Sequence, residues 1–133
     1  MDKKIRWQQR FANFEKSFFH LRNAINIPNP NDTEKAGLVQ FFEISYELAW
    51  KTLKDFLESE GFLTNTPRDT IKQAFQSQFI SDGHAWLAAL SDRNLTSHTY
   101  DESTALKIDH LIRSKYFLLL NDFYSNFKNK SQS

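Results

Sequence analysis

The sequence predicts an all-α fold: an up-and-down antiparallel bundle of four to five helices, three of them long. Three observations lead there. Gly and Pro number only three each in 133 residues, too few for the many tight turns of a β-sandwich or barrel. Apolar residues recur every three or four positions over long stretches, the period of one helix face. Capping residues and prolines fall where those stretches begin and end. A chain of this length fits one domain with one core, expected over 1–127 with a flexible tail at 128–133. Its 13 Phe supply large side chains to fill that core.

The first helix is expected from about Asp2 to Ile27. Ile5, Phe11, Phe14, Phe18, Leu21 and Ile25 form its apolar stripe, and Pro28-Asn29-Pro30-Asn31-Asp32 makes a turn. The second starts near Asp32 or Thr33, either of which can cap it. It ends at Gly61, a good residue just past a helix terminus. Its stripe holds Leu38, Phe41, Phe42, Ser45, Leu48, Ala49, Leu53, Phe56 and Leu57, and Tyr46 and Trp50 widen it. Phe42, Tyr46 and Trp50 exceed what one bundle seam needs, so a homodimer that covers them is expected.

Thr66-Pro67-Arg68-Asp69 begins a short third helix, with Thr66 as cap, Pro67 in the first turn and Asp69 answering the cap. It ends near Phe79. A fourth begins at Ser81 or Asp82 and carries Trp86, Leu87 and Leu90 inward. Its pattern fades over Asn94-Leu95-Thr96-Ser97. The last runs from about Asp101 to Phe127, with Leu106, Ile108, Ile112, Tyr116, Leu119, Leu120 and Phe123 inward.

Composition excludes several classes of function. With no cysteine, neither a disulfide framework nor a zinc–thiolate site can form, and a reducing compartment, the cytoplasm, is the natural setting. The N-terminus has no apolar run of the kind a signal peptide needs, and no segment is apolar enough to span a membrane. A net charge of +1 makes no general nucleic-acid-binding surface, so any contact with RNA must be local. There is no Gly-rich phosphate loop. No Gly-Ser is followed by the Asp-x-Asp of a nucleotidyltransferase catalytic subunit. His20, His84 and His110 lack metal-ligand spacing and are read as structural or surface residues, so no metal or cofactor is expected.

What remains is Arg93-Asn94-Leu95-Thr96-Ser97-His98-Thr99-Tyr100. On an unbroken helix Arg93 and His98 would stand roughly 140° apart. They converge on one ligand only if the helix loosens, which the weak helix formers Thr96, Ser97 and Thr99 permit. The residue types suit phosphodiester cleavage. Arginine offers a permanent planar cation for phosphate. Histidine moves protons near neutrality. Asn94 adds a neutral hydrogen-bonding group. On spacing alone a plainer alternative stands beside this one: Arg93 at a helix C-terminus, His98 on the surface and Tyr100 packed inside.

The Arg-x4-His-x-Tyr motif resembles the defining motif of the HEPN superfamily. The stretch Tyr46-Glu47-Leu48-Ala49-Trp50-Lys51-Thr52-Leu53-Lys54, ahead of Gly61, is similar to the second helix of its nucleotidyltransferase substrate-binding type. That resemblance covers nearly the whole chain. It implies a helical bundle pairing as a dimer, with the two Arg–His sites facing one cleft. It implies a metal-independent RNase, the toxin of a two-gene toxin–antitoxin system. The antitoxin would be a separate minimal nucleotidyltransferase that attaches AMP to a tyrosine. Carried over, Arg93 would bind phosphate, His98 would be the acid/base, Asn94 would support them and Tyr100 would be modified.

Two functions of different class follow. One is the RNA endonuclease, supported by the intact Arg93, Asn94, His98 and Tyr100 set. The other is a non-catalytic substrate-binding subunit of a two-component nucleotidyltransferase, supported by near-neutral charge and a broadly apolar second helix, both of which suit an obligate protein partner.

Overall fold

Helix α1 (Lys3–Ile25) opens the computed structural model, which describes residues 2–95 and 101–132. It is followed by α2 (Asp32–Ser59), α3 (Pro67–Gln76) and α4 (Gly83–Arg93). A last helical rod comprises α5 (Glu102–Leu111), a π-helical turn at Ile112–Tyr116, and α6 (Phe117–Ser131). The described residues are all helix and loop, with no strand.

The pairings give the topology. Arg6 meets Glu58, Arg10 meets Asp55 and Ser17 meets Ser45, so α1 and α2 run antiparallel. Trp7 meets Phe127, Phe11 meets Phe123 and Phe18 meets Phe117, so α1 also opposes the last rod. Trp86 meets Phe123 and Asp92 meets Tyr116, so α4 runs against that rod too. The three long pieces and α4 alternate up and down, with α3 folded into the connection between α2 and α4.

Local chemistry sets most boundaries. Asp2 caps α1, Thr66 caps α3, Asp82 caps α4 and Asp101 caps α5, each accepting a hydrogen bond from a backbone N–H of the first turn. The cap of α2 is Asn31 rather than Asp32 or Thr33. Its side chain accepts from the Glu34 N–H at 2.8 Å while the Glu34 carboxylate accepts from the Asn31 N–H at 2.9 Å, a reciprocal box that neither Asp32 nor Thr33 could form with Glu34 at that spacing.

Helices α2 and α3 end in the same double hydrogen bond. Phe62 N–H reaches Leu57 O at 2.8 Å and Gly61 N–H reaches Glu58 O at 3.1 Å; Phe79 N–H reaches Ala74 O at 2.9 Å and Gln78 N–H reaches Phe75 O at 3.1 Å. The motif demands a left-handed residue. At α2 it is Gly61, with φ +93°, but at α3 it is Gln78, with φ +63°. A side chain there is strained. Gln78→Gly should therefore stabilise the protein by about 1 kcal/mol, and Gly61→Ala should cost about as much. Equal urea midpoints for all three proteins would refute this account of the two helix ends.

The core is an aromatic lattice. Phe14 and Phe18 are fully buried, stacked 5.5 Å apart, and Phe123 stands edge-on to Phe14 at 4.9 Å. At one end Trp7, Phe56 and Phe127 meet edge to face. Toward the other, Phe42 stacks on Tyr116, and Tyr46 leans on Trp86.

Four expectations are corrected. Ile5 is 46% exposed, because it lies about 120° off the Phe11 stripe, while Trp7, four residues before Phe11, points inward and meets both Phe56 and Phe127. Leu106 is 61% exposed, since α5 presents only Ile108 to the core before the π turn. The last helix continues past Phe127 to Ser131. Lys128 is held there by Glu15 at 3.0 Å, and the Lys130 ammonium lies over the rings of Phe56, Phe79 and Phe127. Finally, Phe42, Tyr46 and Trp50 are buried within the single chain. Phe42 packs on Tyr116 of the last rod and Tyr46 on Trp86 of α4, so these rings are not the exposed surplus on which the expected dimer rested.

Candidate functional site

Arg93 is the last residue of α4 and Asn94 caps it. The α-helix ends there, with a 3₁₀ turn at Asn94 and Leu95, and the loosening expected over Thr96, Ser97 and Thr99 falls outside the described residues. His98 and Tyr100 lie in 96–100, outside the described residues. The structure thus brings Arg93 and Asn94 together as chain neighbours. A cation in the last turn of a helix is favoured by the helix dipole, which is the placement the plainer alternative gives to Arg93.

A second element grips the same arginine. The Arg93 Nη1 donates to Glu47 Oε2 of α2. Glu47 is a hub: its Oε2 also accepts from the Trp50 indole Nε1 at 3.1 Å, and its Oε1 faces Lys51 Nζ at 3.2 Å. Positions 47, 50 and 51 share one face of α2 because three and four residues make about one turn. Partial burial alone would push the Glu47 carboxyl up. The hydrogen bonds from Trp50 and Lys51 and the charges of Arg93 and Lys51 outweigh that and hold it below the usual range.

Beneath this pair lies a buried polar and aromatic floor. The Arg93 guanidinium carbon is 6.0 Å from the centre of the Tyr46 ring. The Tyr46 hydroxyl donates to Trp86 O at 2.6 Å, and the Tyr116 hydroxyl donates to the Asp92 carboxylate. Burial, above all, pushes both tyrosines well above the ordinary phenol range; at Tyr116 the Asp92 carboxylate adds to it. Both phenols therefore stay neutral donors. Arg93 is braced from α2 through Glu47, and the turn of α4 that carries it is tied to the last rod through Asp92.

Sequence reasoning assigns Glu47, Asp92 and Tyr116 no part in the site. Glu47 leaves a trace: a carboxylate wedged between Tyr46 and Trp50 on a half-buried face needs a cationic partner. Asp92 and Tyr116 leave none, because their meeting depends on how α4 crosses the last rod.

The other histidines behave as expected. His20, His84 and His110 are exposed, and His20 stacks on the Phe41 ring at 4.9 Å. Among the described residues no helix is long and apolar enough to cross a membrane. An open groove of about 750 Å³ lies away from Arg93, between the α3–α4 turn and the last rod. Phe79, Trp86, Leu119 and Phe123 line it, with Lys115 and Asp122 among its polar residues.

Residues 9–129 match the family described as nucleotidyltransferase substrate binding protein like. The chain belongs to this family. Its resemblance to the HEPN, nucleotidyltransferase substrate-binding type therefore holds, and so does the all-α bundle. Among members and relatives, a Haemophilus influenzae protein described as "Probable ribonuclease HepT" is 35% identical over 97 residues, which is 65% of this chain and 66% of that one. The chain thus spans just under two thirds of that relative's length. A Thermus thermophilus protein, ttk003001694, superimposes with a TM-score of 0.76 at 25% identity, over 90% of this chain and 99% of that one. The Haemophilus influenzae protein HI0074 superimposes with a TM-score of 0.65 at 25% identity, over 94% and 98%. Its structure is described as revealing the fold of a substrate binding domain of a nucleotidyltransferase.

Proposed function

We propose that this family member is a metal-independent RNA endonuclease, the toxin of a two-gene toxin–antitoxin system, silenced by a partner nucleotidyltransferase. The observation that carries the reading is an intact Arg-x4-His-x-Tyr motif whose arginine stands braced at the end of α4. The likeness to a protein described as a ribonuclease supports it. In the reaction a ribose 2′-hydroxyl attacks the neighbouring phosphorus and the 5′-oxygen leaves. His98 moves the proton, Arg93 binds the phosphate and Asn94 supports them. Two copies of the chain would form one cleft, and the site of action would be cytoplasmic RNA.

Silencing is assigned to Tyr100. Its hydroxyl would attack the α-phosphate of ATP on the partner enzyme, and pyrophosphate would leave. The AMP then brings bulk and a negative charge to within a few residues of the cation that holds RNA.

A second reading, a non-catalytic substrate-binding subunit of a two-component nucleotidyltransferase, is favoured by the description of HI0074 and by the groove beside Trp86. Expression separates the two. Growth arrest on inducing this chain alone, lost with His98→Ala, supports the toxin; no arrest from either protein supports the subunit. Incubation with ATP, Mg²⁺ and the cognate nucleotidyltransferase should place AMP on the Tyr100 peptide and abolish cleavage. AMP on another residue would end the proposed switch, and a monomer of 15.7 kDa in light scattering would end the shared cleft.

A further inference from the structure

We infer that Glu47 is a positioning residue for Arg93, holding its guanidinium in one orientation at the end of α4. The inference deepens the RNase reading and rests on it. A long arginine side chain on the last turn of a helix has many rotamers open to it. Here the guanidinium meets a carboxylate of α2, and that carboxylate is itself fixed. The Trp50 indole N–H and the Lys51 ammonium, one helical turn along α2, leave Glu47 little freedom to swing. Trp50 is buried, so the indole is a rigid prop. Arg93 therefore meets a preset acceptor rather than a mobile surface acid. Orientation matters for the proposed reaction because a planar fork binds phosphate in a defined plane, and a displacement of about 1 Å at such a group can cost on the order of a hundredfold in rate.

A simple electrostatic view predicts the opposite. Glu47 is an anion beside the group that must attract an anion, so on charge alone its removal should strengthen RNA binding and speed cleavage. Positioning and charge thus pull kcat and KM apart. Glu47→Ala is expected to lower kcat about tenfold or more, while KM for an RNA oligonucleotide stays level or falls. Glu47→Gln keeps the shape and one acceptor oxygen and should fall between Glu47→Ala and the parent. A bridge that served only stability would instead leave kcat and KM unchanged in folded protein.

A readout without RNA keeps this inference separate from the activity. In ¹⁵N NMR the Arg93 guanidinium of the parent should show separate, restrained Nη signals. In Glu47→Ala their restraint should weaken and their separation shrink. If the parent cuts no RNA, the RNase reading fails, and the NMR comparison alone decides whether Glu47 positions Arg93. Parent-like kcat in Glu47→Ala, or an Arg93 guanidinium as restrained there as in the parent, would overturn the inference.

Discussion

Purified protein carrying His98→Ala is expected to cleave RNA about a hundredfold more slowly than the parent, or worse, with EDTA leaving both rates unchanged. The size follows from the role. A positioned acid/base supplies on the order of two to four powers of ten, and His20, His84 and His110 are exposed residues of α1, α4 and α5 outside the motif. Arg93→Lys should also be poor. A lysine could still pair with Glu47, so the fold survives, but it brings a point charge where a two-pronged donor is needed. The comparison with Arg93→Lys guards against contamination: a trace nuclease would cleave equally in all three preparations. Loss of activity in EDTA would mean that a metal, not the Arg–His pair, supplies the charge.

The largest effect on stability is expected at Phe14. It is fully buried and touches rings on every side: Phe18 stacked at 5.5 Å, Phe123 edge-on at 4.9 Å and Phe11 at 5.9 Å. Phe14→Ala removes a ring from the middle of α1 and leaves a hole that α2 and the last rod cannot both close. The cost should be about 3–5 kcal/mol, a large share of the roughly 5–15 kcal/mol typical of a whole domain. A fall in Tm of roughly 10 °C or more should result. Because Phe14 is remote from Glu47 and Arg93 in the contacts it makes, folded protein at low temperature should keep its activity. A loss below about 1 kcal/mol would show that the lattice repacks freely, contrary to the tight edge-to-face contacts.

The contrast between what the sequence discloses and what it hides has a physical basis. Caps are local: Asp82, Asp101, Thr66 and the C-terminal Gly61 are readable because each interaction spans a few residues. Even so, Asn31 is hidden by two better-looking neighbours, since only the reach of Glu34 decides among them. Inward faces are readable where a helix is regular, as on α1 beyond Phe11. They fail at its first turn, where Ile5 is apolar but off the stripe and Trp7, four residues before Phe11, is on it, and at Leu106, which precedes a change of helical pitch. Within the site, Arg93 and Asn94 are legible from the motif, while Glu47 and Asp92 owe their roles to partners on other helices. Such pairings depend on crossing geometry, which no spacing rule records. The aromatics of α2 read as a surplus for the same reason: their partners on α4 and the last rod are distant in sequence.

The π turn at Ile112–Tyr116 has a wider consequence. Ile108, Ile112, Tyr116 and Leu120 are spaced by four and all buried, yet on an ordinary helix that spacing drifts about 40° per step. The wider turn absorbs the drift. It acts as a one-residue phase shift between two halves of a single rod. One half carries Ile108 and the tyrosine that reaches Asp92; the other carries Phe123 and Phe127. Deleting a residue between 112 and 116 would only close the wide turn to an ordinary one, but inserting a further residue there would leave both halves helical and rotate one about 100° against the other. Either the tyrosine would miss Asp92 or the two phenylalanines would turn toward solvent. The rod thus tolerates substitution along its length, or loss of the extra residue in the wide turn, far better than a further insertion between its two halves.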